Sequence, residues 1–242
     1  MACYSCGGMW VAGADACRGG WIRAARETRR GTLRFELAAT AAALMRLDPE
    51  PDVPCIDIPI GLPDAGGREC DGLARAMLGW PRRSSVFPAP IRPALAARTR
   101  EEASRITLRA DGRRVGTQAW ALYPKIREVD ELLGSSSAAR RRVREVHPEI
   151  SFWAWNGGKP IQEGKKTPEG RAKRLRLVEG WLGSGLSSAA RAGLARRAVQ
   201  DDDILDALAA LWTATRVAPG SARTLPDPPP LDAAGLPMQI VY

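Results

Sequence analysis

The order of the short extended segments is the feature that most constrains the fold of this chain. Three segments with strand-like composition come before any helical pattern: Met9–Ala14, Trp21–Ala25 and Leu33–Leu37. The run Arg29-Arg30-Gly31-Thr32 between the last two is typical of a turn. The three segments therefore predict an antiparallel meander.

Helical and extended patterns alternate after this meander. A helical segment, Thr40–Leu47, leads to a strand at Val53–Ile58, and Val143–Val146 has the composition of one more strand. The clearest helices are Pro168–Leu182 and Asp202–Val217. A meander followed by helical crossovers predicts an α/β protein with a mixed sheet, antiparallel at first and then parallel, flanked by helices.

We expect residues 1–242 to form a single domain with one insertion. Charged helical pieces such as Cys70–Leu78 and Ala94–Leu108 lie among prolines, and they predict a helical insertion over about 63–125. The last segment, 219–242, is a proline-rich tail without a regular pattern.

Composition and charge limit the function classes. No apolar run approaches the roughly 18 residues of a membrane span, and Met1–Trp10 lacks the pattern of a signal peptide. We therefore expect a cytoplasmic protein without a membrane partner. The five cysteines form an odd set, which favours reduced thiols, and Cys3 and Cys6 lack the further ligands of a zinc site. The net charge of +9 favours a nucleic-acid partner modestly.

Two aspartates follow apolar strand segments. Asp15 ends the first strand segment, at the edge where α/β sheets place ligands, although a turn aspartate is an equal alternative. Asp57 lies among apolar residues in Cys55–Ile60. A buried carboxylate is unfavourable unless it is paired or binds a metal, so Asp57 indicates a metal or catalytic site, with a salt bridge to an arginine as the alternative.

The last helix carries the strongest acidic signal. Its first residues fit N-capping, but Asp206 lies a turn further in. On a helical wheel Asp202 and Asp206 are about 40° apart, and Asp203 and Asp206 about 60°. Carboxylates that converge repel one another unless a cation lies between them. A set of oxygen ligands without His or Cys points to Mg²⁺ or Mn²⁺.

Glu149 and several basic residues are further candidates. Glu149 could complete a ligand set or position a water, or it could serve only as a helix cap. His147, the lone histidine, is either a structural residue or a base. The basic runs are either phosphate contacts or solvated turns, and we expect the substrate to contact Arg18, Arg82, Arg83, Lys165 and Lys166.

These residues belong to motifs that resemble a known family, over about residues 9–216. The motifs are Asp15-Ala16-Cys17-Arg18-Gly19-Gly20-Trp21, Ile56-Asp57-Ile58-Pro59-Ile60-Gly61-Leu62, Arg68-Glu69-Cys70-Asp71, Ser84-Ser85-Val86-Phe87, Glu145-Val146-His147-Pro148-Glu149, Lys165-Lys166-Thr167 and Asp202-Asp203-Ile204-Leu205-Asp206-Ala207. In combination they resemble the domain of unknown function 429 family, which is described as predicted ribonuclease H-like nucleases. One departure is Ala16, where the family leads us to expect glycine.

The resemblance implies a ribonuclease H-like fold with its active acids on the first strand, the fourth strand and a late helix. By position these acids are Asp15, Asp57 and Asp203 or Asp206. We therefore expect a nuclease or phosphodiester hydrolase that uses Mg²⁺ or Mn²⁺, with Asp202 as a further metal ligand. The alternative is a non-catalytic module of the same fold that binds metal or nucleic acid.

Overall fold

The structure, a computed structural model, describes residues 8–242 except for the side chains of 187 and 188. Strands β1 (Trp10–Cys17), β2 (Gly20–Glu27) and β3 (Leu33–Ala38) form the antiparallel meander that the sequence predicts. Strand β4 (Val53–Ile56) pairs parallel to β1, and β5 (Arg144–Glu145) pairs parallel to β4. The order in the sheet is β3-β2-β1-β4-β5, which confirms the mixed α/β sheet.

Helices cover both faces of this sheet. Their bounds are α1 Ala41–Met45, α2 Glu69–Leu78, α3 Arg92–Leu95, α4 Arg100–Asp111, α5 Thr117–Ser135, α6 Ser137–Arg142, α7 Pro148–Trp155, α8 Pro168–Leu182, α9 Leu186–Arg191 and α10 Asp201–Val217. The core on one face joins Val11 and Ile22 of the sheet to α7, α8 and α10. The core on the other face joins Trp21 and Ile56 to α1 and α5. In the part of the chain that the structure describes, no helix is long and apolar enough to cross a membrane.

The segment between β4 and β5 is helical, and it extends to Arg142. A single helix over Ala94–Leu108 was the wrong prediction, because the chain forms α3 and then begins α4 afresh. The Thr99 hydroxyl caps α4 by accepting a hydrogen bond from the Glu102 N–H at 3.1 Å. A capping threonine favours a helix start over a continuous helix at this position.

The tail, predicted to be irregular, returns to the sheet. Strands β6 (Thr224–Leu225) and β7 (Ile240–Val241) pair antiparallel, and Val241 also bridges to Val146 beyond β5. Close packing fixes the tail at Gly61, which has a φ of +72° and an ideal Cβ position only 2.8 Å from the Pro237 carbonyl oxygen. The tail therefore lies against the loop that follows β4.

Helix α10 and strand β1 pack with almost no side chain between them. A Cβ at Gly13 would stand 2.0 Å from the Leu211 nitrogen and 2.2 Å from the Ala207 oxygen. Gly13, Ala207 and Ala210 therefore let the two backbones meet directly, and the facing helix surface is buried. This close approach positions the acidic start of α10 over the end of β1.

We expect Gly13→Ala to destabilise the protein by about 3 kcal/mol or more, because the added methyl would force the two backbones apart. Chemical denaturation followed by circular dichroism measures the change. Gly72→Ala is the matched control, since Gly72 is exposed in α2 and its Cβ would meet nothing within 4 Å. That control should be neutral or slightly stabilising. Equal midpoints for the two variants would contradict the close packing of β1 on α10.

Candidate functional site

Asp15 and Asp57 lie side by side at the carboxyl ends of two parallel strands. The register pairs Ala14 of β1 with Ile56 of β4, and the Asp57 N–H donates to the Ala14 carbonyl oxygen at 2.9 Å. Asp57 follows β4 directly, so the predicted strand to Ile58 is two residues too long. The next residue on each strand is thus an aspartate, and both line the same cavity.

Helix α10 brings the third carboxylate to this pair. Asp206, 2% exposed, lies one turn into the helix and lines the cavity with Asp15 and Asp57. The Lys165 ammonium donates to Asp206 Oδ2, and it also lies 3.9 Å from Asp202 Oδ2. The cluster therefore contains one fixed cation, supplied by the loop before α8.

Burial and mutual repulsion disfavour the ionised carboxylates. Burial and then the charge of Asp206 raise the pKa of Asp57 to about 8. Burial raises the pKa of Asp206 to about 6, although Lys165 opposes the shift. The pKa of Asp15 is raised well above its usual range by burial and by the charges of Asp57 and Asp206. Burial opposes the charge of Lys165, but the carboxylates around it raise its pKa.

The carboxylate oxygens of this cluster are ligand atoms that a hard cation prefers, but they are not arranged as a metal site. The Asp15 and Asp57 carboxylates accept no hydrogen bond from any residue described here, although Asp15 is only 7% exposed. Yet within residues 8–242 no three His, Cys, Asp or Glu side chains lie in position to hold a metal ion. Lys165 instead binds Asp206. The carboxylates would suit Mg²⁺ or Mn²⁺ only if the Lys165 ammonium moved away from Asp206.

Glu149, a predicted ligand or water-positioning residue, is bound by two arginines. Arg174, fully buried in α8, donates to its two oxygens at 2.7 and 2.8 Å. Arg82 donates to Oε1 at 2.7 Å from the short 3₁₀ turn 82–85. Glu149 lines the cavity, but Arg174 occupies both of its oxygens, and Oε1 also holds Arg82 at the cavity wall.

The other predicted site residues divide between the cavity and the surface. Asp203 lines the cavity, but its Oδ2 accepts from the Gln200 N–H at 2.7 Å and so caps α10. Lys166 is exposed at the cavity, whereas Arg18 and Arg83 are exposed and do not line it. Asp202 reaches the cluster only through Lys165.

His147 and the cysteines take no obvious part in the acidic cluster. His147 lines the cavity, and its Nε2 lies 3.4 Å from the Ser85 carbonyl oxygen. Burial lowers its pKa, which favours the neutral ring. Cys17, Cys55 and Cys70 are free thiols. Cys3 and Cys6 lie outside the described residues.

Sequence reasoning missed a buried ion-pair network beside the aspartates. Arg68 donates to both oxygens of Glu145 at 2.6 and 2.7 Å, and to Asp71 at 2.6 Å. Glu145 also accepts from the Ile60 N–H at 2.6 Å, which fixes the loop after Asp57. A glutamate inside the strand segment Val143–Val146 was the available signal. One guanidinium thus faces two carboxylates in this network, which holds one wall of the cavity.

The cavity measures about 460 Å³ and is lined by both charged and apolar side chains. The charged lining residues are the aspartates, the basic residues Arg82, Lys165 and Lys166, and the network around Arg68. The apolar lining residues include Ile58, Val86, Phe87, Leu122 and Ile240. A cavity of this size lies in the range of about 300–1,000 Å³ that small-molecule sites occupy.

The fold and the site define an α/β protein with a mixed five-stranded sheet and an acidic pocket at the carboxyl ends of its parallel strands. A family model described as "Protein of unknown function (DUF429)" matches residues 13–231, so the chain belongs to this family. No curated protein and no solved structure matches the chain significantly.

The raised pKa of Asp57 predicts a pH dependence of stability in metal-free buffer. The pKa is about 8 in the folded protein and about 3.9 in an unfolded chain, so the folded state holds a proton that unfolding releases. Stability attributable to Asp57 is therefore present at low pH and is lost as the pH rises through this window. The slope for one such proton is at most about 1.4 kcal/mol per pH unit.

Urea denaturation with EDTA between about pH 5 and pH 8 measures this slope. Asp57→Asn cannot release the proton, so its free energy of unfolding should decline less steeply than that of the wild type. Asp15 and Asp206 are present in both proteins, so both proteins include their contribution to the pH dependence. Parallel declines in the two proteins would contradict a raised pKa at Asp57.

Proposed function

We propose that this protein is a metal-dependent phosphodiester hydrolase of ribonuclease H-like fold that acts on nucleic acid. The carrying observation is that Asp15 and Asp57 line a cavity beside Asp206 without any hydrogen-bond partner among the described residues. Carboxylates kept together in this way suit cation binding, because a cation relieves both their repulsion and their loss of solvation.

The strand order supports the fold assignment. A three-stranded antiparallel meander, a parallel fourth strand and a late helix that returns to the first strand match what the family resemblance implies. The three acids stand on the first strand, after the fourth strand and on the late helix.

In this proposal Asp15, Asp57 and Asp206 hold Mg²⁺ or Mn²⁺, and Asp202 and Asp203 are further candidates on the same helix. When bound, the metal would activate a water and stabilise the leaving oxygen of the phosphodiester. Lys165 forms an ion pair with Asp206, and if a metal took its place the ammonium would be free to contact a phosphate oxygen. Arg82, held by Glu149, and Lys166 provide positive charge for the substrate backbone.

One observation favours the alternative, a module that binds nucleic acid without cutting it. Lys165 already supplies a cation to the cluster, so a tethered ammonium could stabilise the acids permanently. Metal titration of Lys165 variants tests whether a metal ion can replace the ammonium, and cleavage assays then separate the hydrolase from the non-catalytic module.

We expect Lys165→Met to raise the affinity for Mn²⁺ and Mg²⁺, because the variant lacks the ammonium that competes for Asp206. Two unit charges about 4 Å apart interact by about 4 kcal/mol at an effective dielectric of about 20, so a decrease in Kd of roughly tenfold or more is expected. Thermal unfolding at increasing metal concentration reports this affinity through the rise in Tm.

Lys166→Met is the matched control, because Lys166 is exposed and forms no ion pair with the cluster residues described here. It should leave the metal concentration dependence of Tm unchanged. Should metal fail to raise the Tm of the wild type and of both variants, the metal-dependent function would be abandoned.

Cleavage is tested with labelled single-stranded, duplex and branched nucleic acids in Mg²⁺ or Mn²⁺. We expect Asp57→Asn to lower the cleavage rate by at least roughly 100-fold, because a group required to position metal and water is lost. Its affinity for nucleic acid should stay equal or increase, because a negative charge is removed near the phosphate.

Asp201→Asn provides the control for this experiment. Asp201 begins the same helix, but it pairs with Arg191 and Arg196 outside the cavity, so the variant should retain the wild-type rate. Binding without cleavage in the wild type would favour the non-catalytic module. Neither binding nor cleavage at low salt would contradict both functions.

A further inference from the structure

The cavity at the aspartates is bounded by segments from several parts of the chain. The tail strand β7 places Ile240, 1% exposed, in the cavity wall, and α5 contributes Leu122. The two residues after the 3₁₀ turn, Val86 and Phe87, also line it. The acids at the carboxyl-end edge of the sheet therefore share a pocket of about 460 Å³ with several apolar side chains.

The basic lining residues suit one phosphate. Arg82 donates from Nη2 to Glu149, which fixes the guanidinium at the wall, and its Nη1 donates to no residue described here. Lys165 is a second cation in the lining of the same cavity. Charged donors of this kind form the strong hydrogen bonds that a phosphate accepts.

The apolar lining residues suit a flat ring. Phe87 is 39% exposed, whereas Val86 and Ile240, which also line the cavity, are buried. An exposed aromatic ring is a surface on which a nucleobase can stack without base-specific hydrogen bonds. Cationic donors and an exposed aromatic ring in one cavity suit a nucleoside monophosphate unit.

We propose that the pocket takes one nucleotide unit of the substrate, with the base against Phe87 and the phosphate between Arg82 and the aspartates. This inference rests on the proposed hydrolase function and narrows its substrate class. A free small nucleotide and the end of a single strand both present such a unit. An internal base pair of an intact duplex does not.

Binding of thymidine monophosphate and of ribose phosphate, measured by calorimetry in Mg²⁺ buffer, tests the proposal without any turnover. Phe87→Ala should weaken binding of thymidine monophosphate at least roughly fivefold, since base–aromatic stacking is lost. The same variant should leave ribose phosphate binding unchanged. Leu108→Ala is the matched control, because Leu108 is 42% exposed and lies outside the cavity. It should change neither affinity.

Two cleavage substrates separate the possible sources of the nucleotide. A small nucleotide phosphodiester and a single strand with free ends report on the free unit and on the strand end, and we expect at least one of them to be cleaved. A closed circular duplex should resist cleavage. Efficient cutting of the circle, or equal affinity of wild type and Phe87→Ala for thymidine monophosphate, would overturn the single-nucleotide pocket. Absence of any cleavage would contradict the hydrolase function but leave the binding result to stand.

Discussion

The direct backbone contact between β1 and α10 is the constraint on which the site depends. Gly13 has no side chain, and Ala207 and Ala210 present only methyl groups, so the helix lies on the strand at a distance that no larger residue permits. In a strand, residues two apart point to the same face, so Asp15 emerges on the helix side just beyond Gly13. Asp206 precedes Ala207 on the helix. The same close packing that stabilises the fold therefore brings two carboxylates together.

The surrounding charges explain why these carboxylates differ from the other buried acids. Glu145 and Glu149 each receive two hydrogen bonds from a buried arginine, Arg68 and Arg174 respectively. Removing one member of such a pair would leave an uncompensated charge, so these pairs hold the cavity walls in place. Asp15 and Asp57 receive no such partner from the described residues. Among the acids that line the cavity, Asp15 and Asp57 are thus the two that receive no hydrogen bond from the described residues, which favours them as candidates for ligand contact.

Local patterns in the sequence predicted much of this arrangement. The meander, a strand that begins at Val53 and the helix that carries Asp206 follow from periodicity and apolar runs, and each is present, although the strand ends two residues earlier than predicted. The helix break at Thr99 was missed. The two-residue strands β6 and β7 were also missed, because so short a strand shows no detectable alternation of apolar and polar residues. The pairing of side chains was predicted less well than the helices and strands. Glu149 and Arg174 lie 25 residues apart, and Lys165 and Asp206 lie 41 apart. A single sequence contains no signal for such pairs.

The C-terminal tail forms part of the wall of the cavity. Without residues beyond α10 the carboxyl ends of β1 and β4 would face outward as an open edge, the usual position of ligand sites in α/β sheets. The bridge from Val241 to Val146 and the contact of Pro237 with Gly61 instead bring the tail across this edge. Ile240 then becomes a wall of the cavity. The tail therefore bounds part of the space beside the three aspartates.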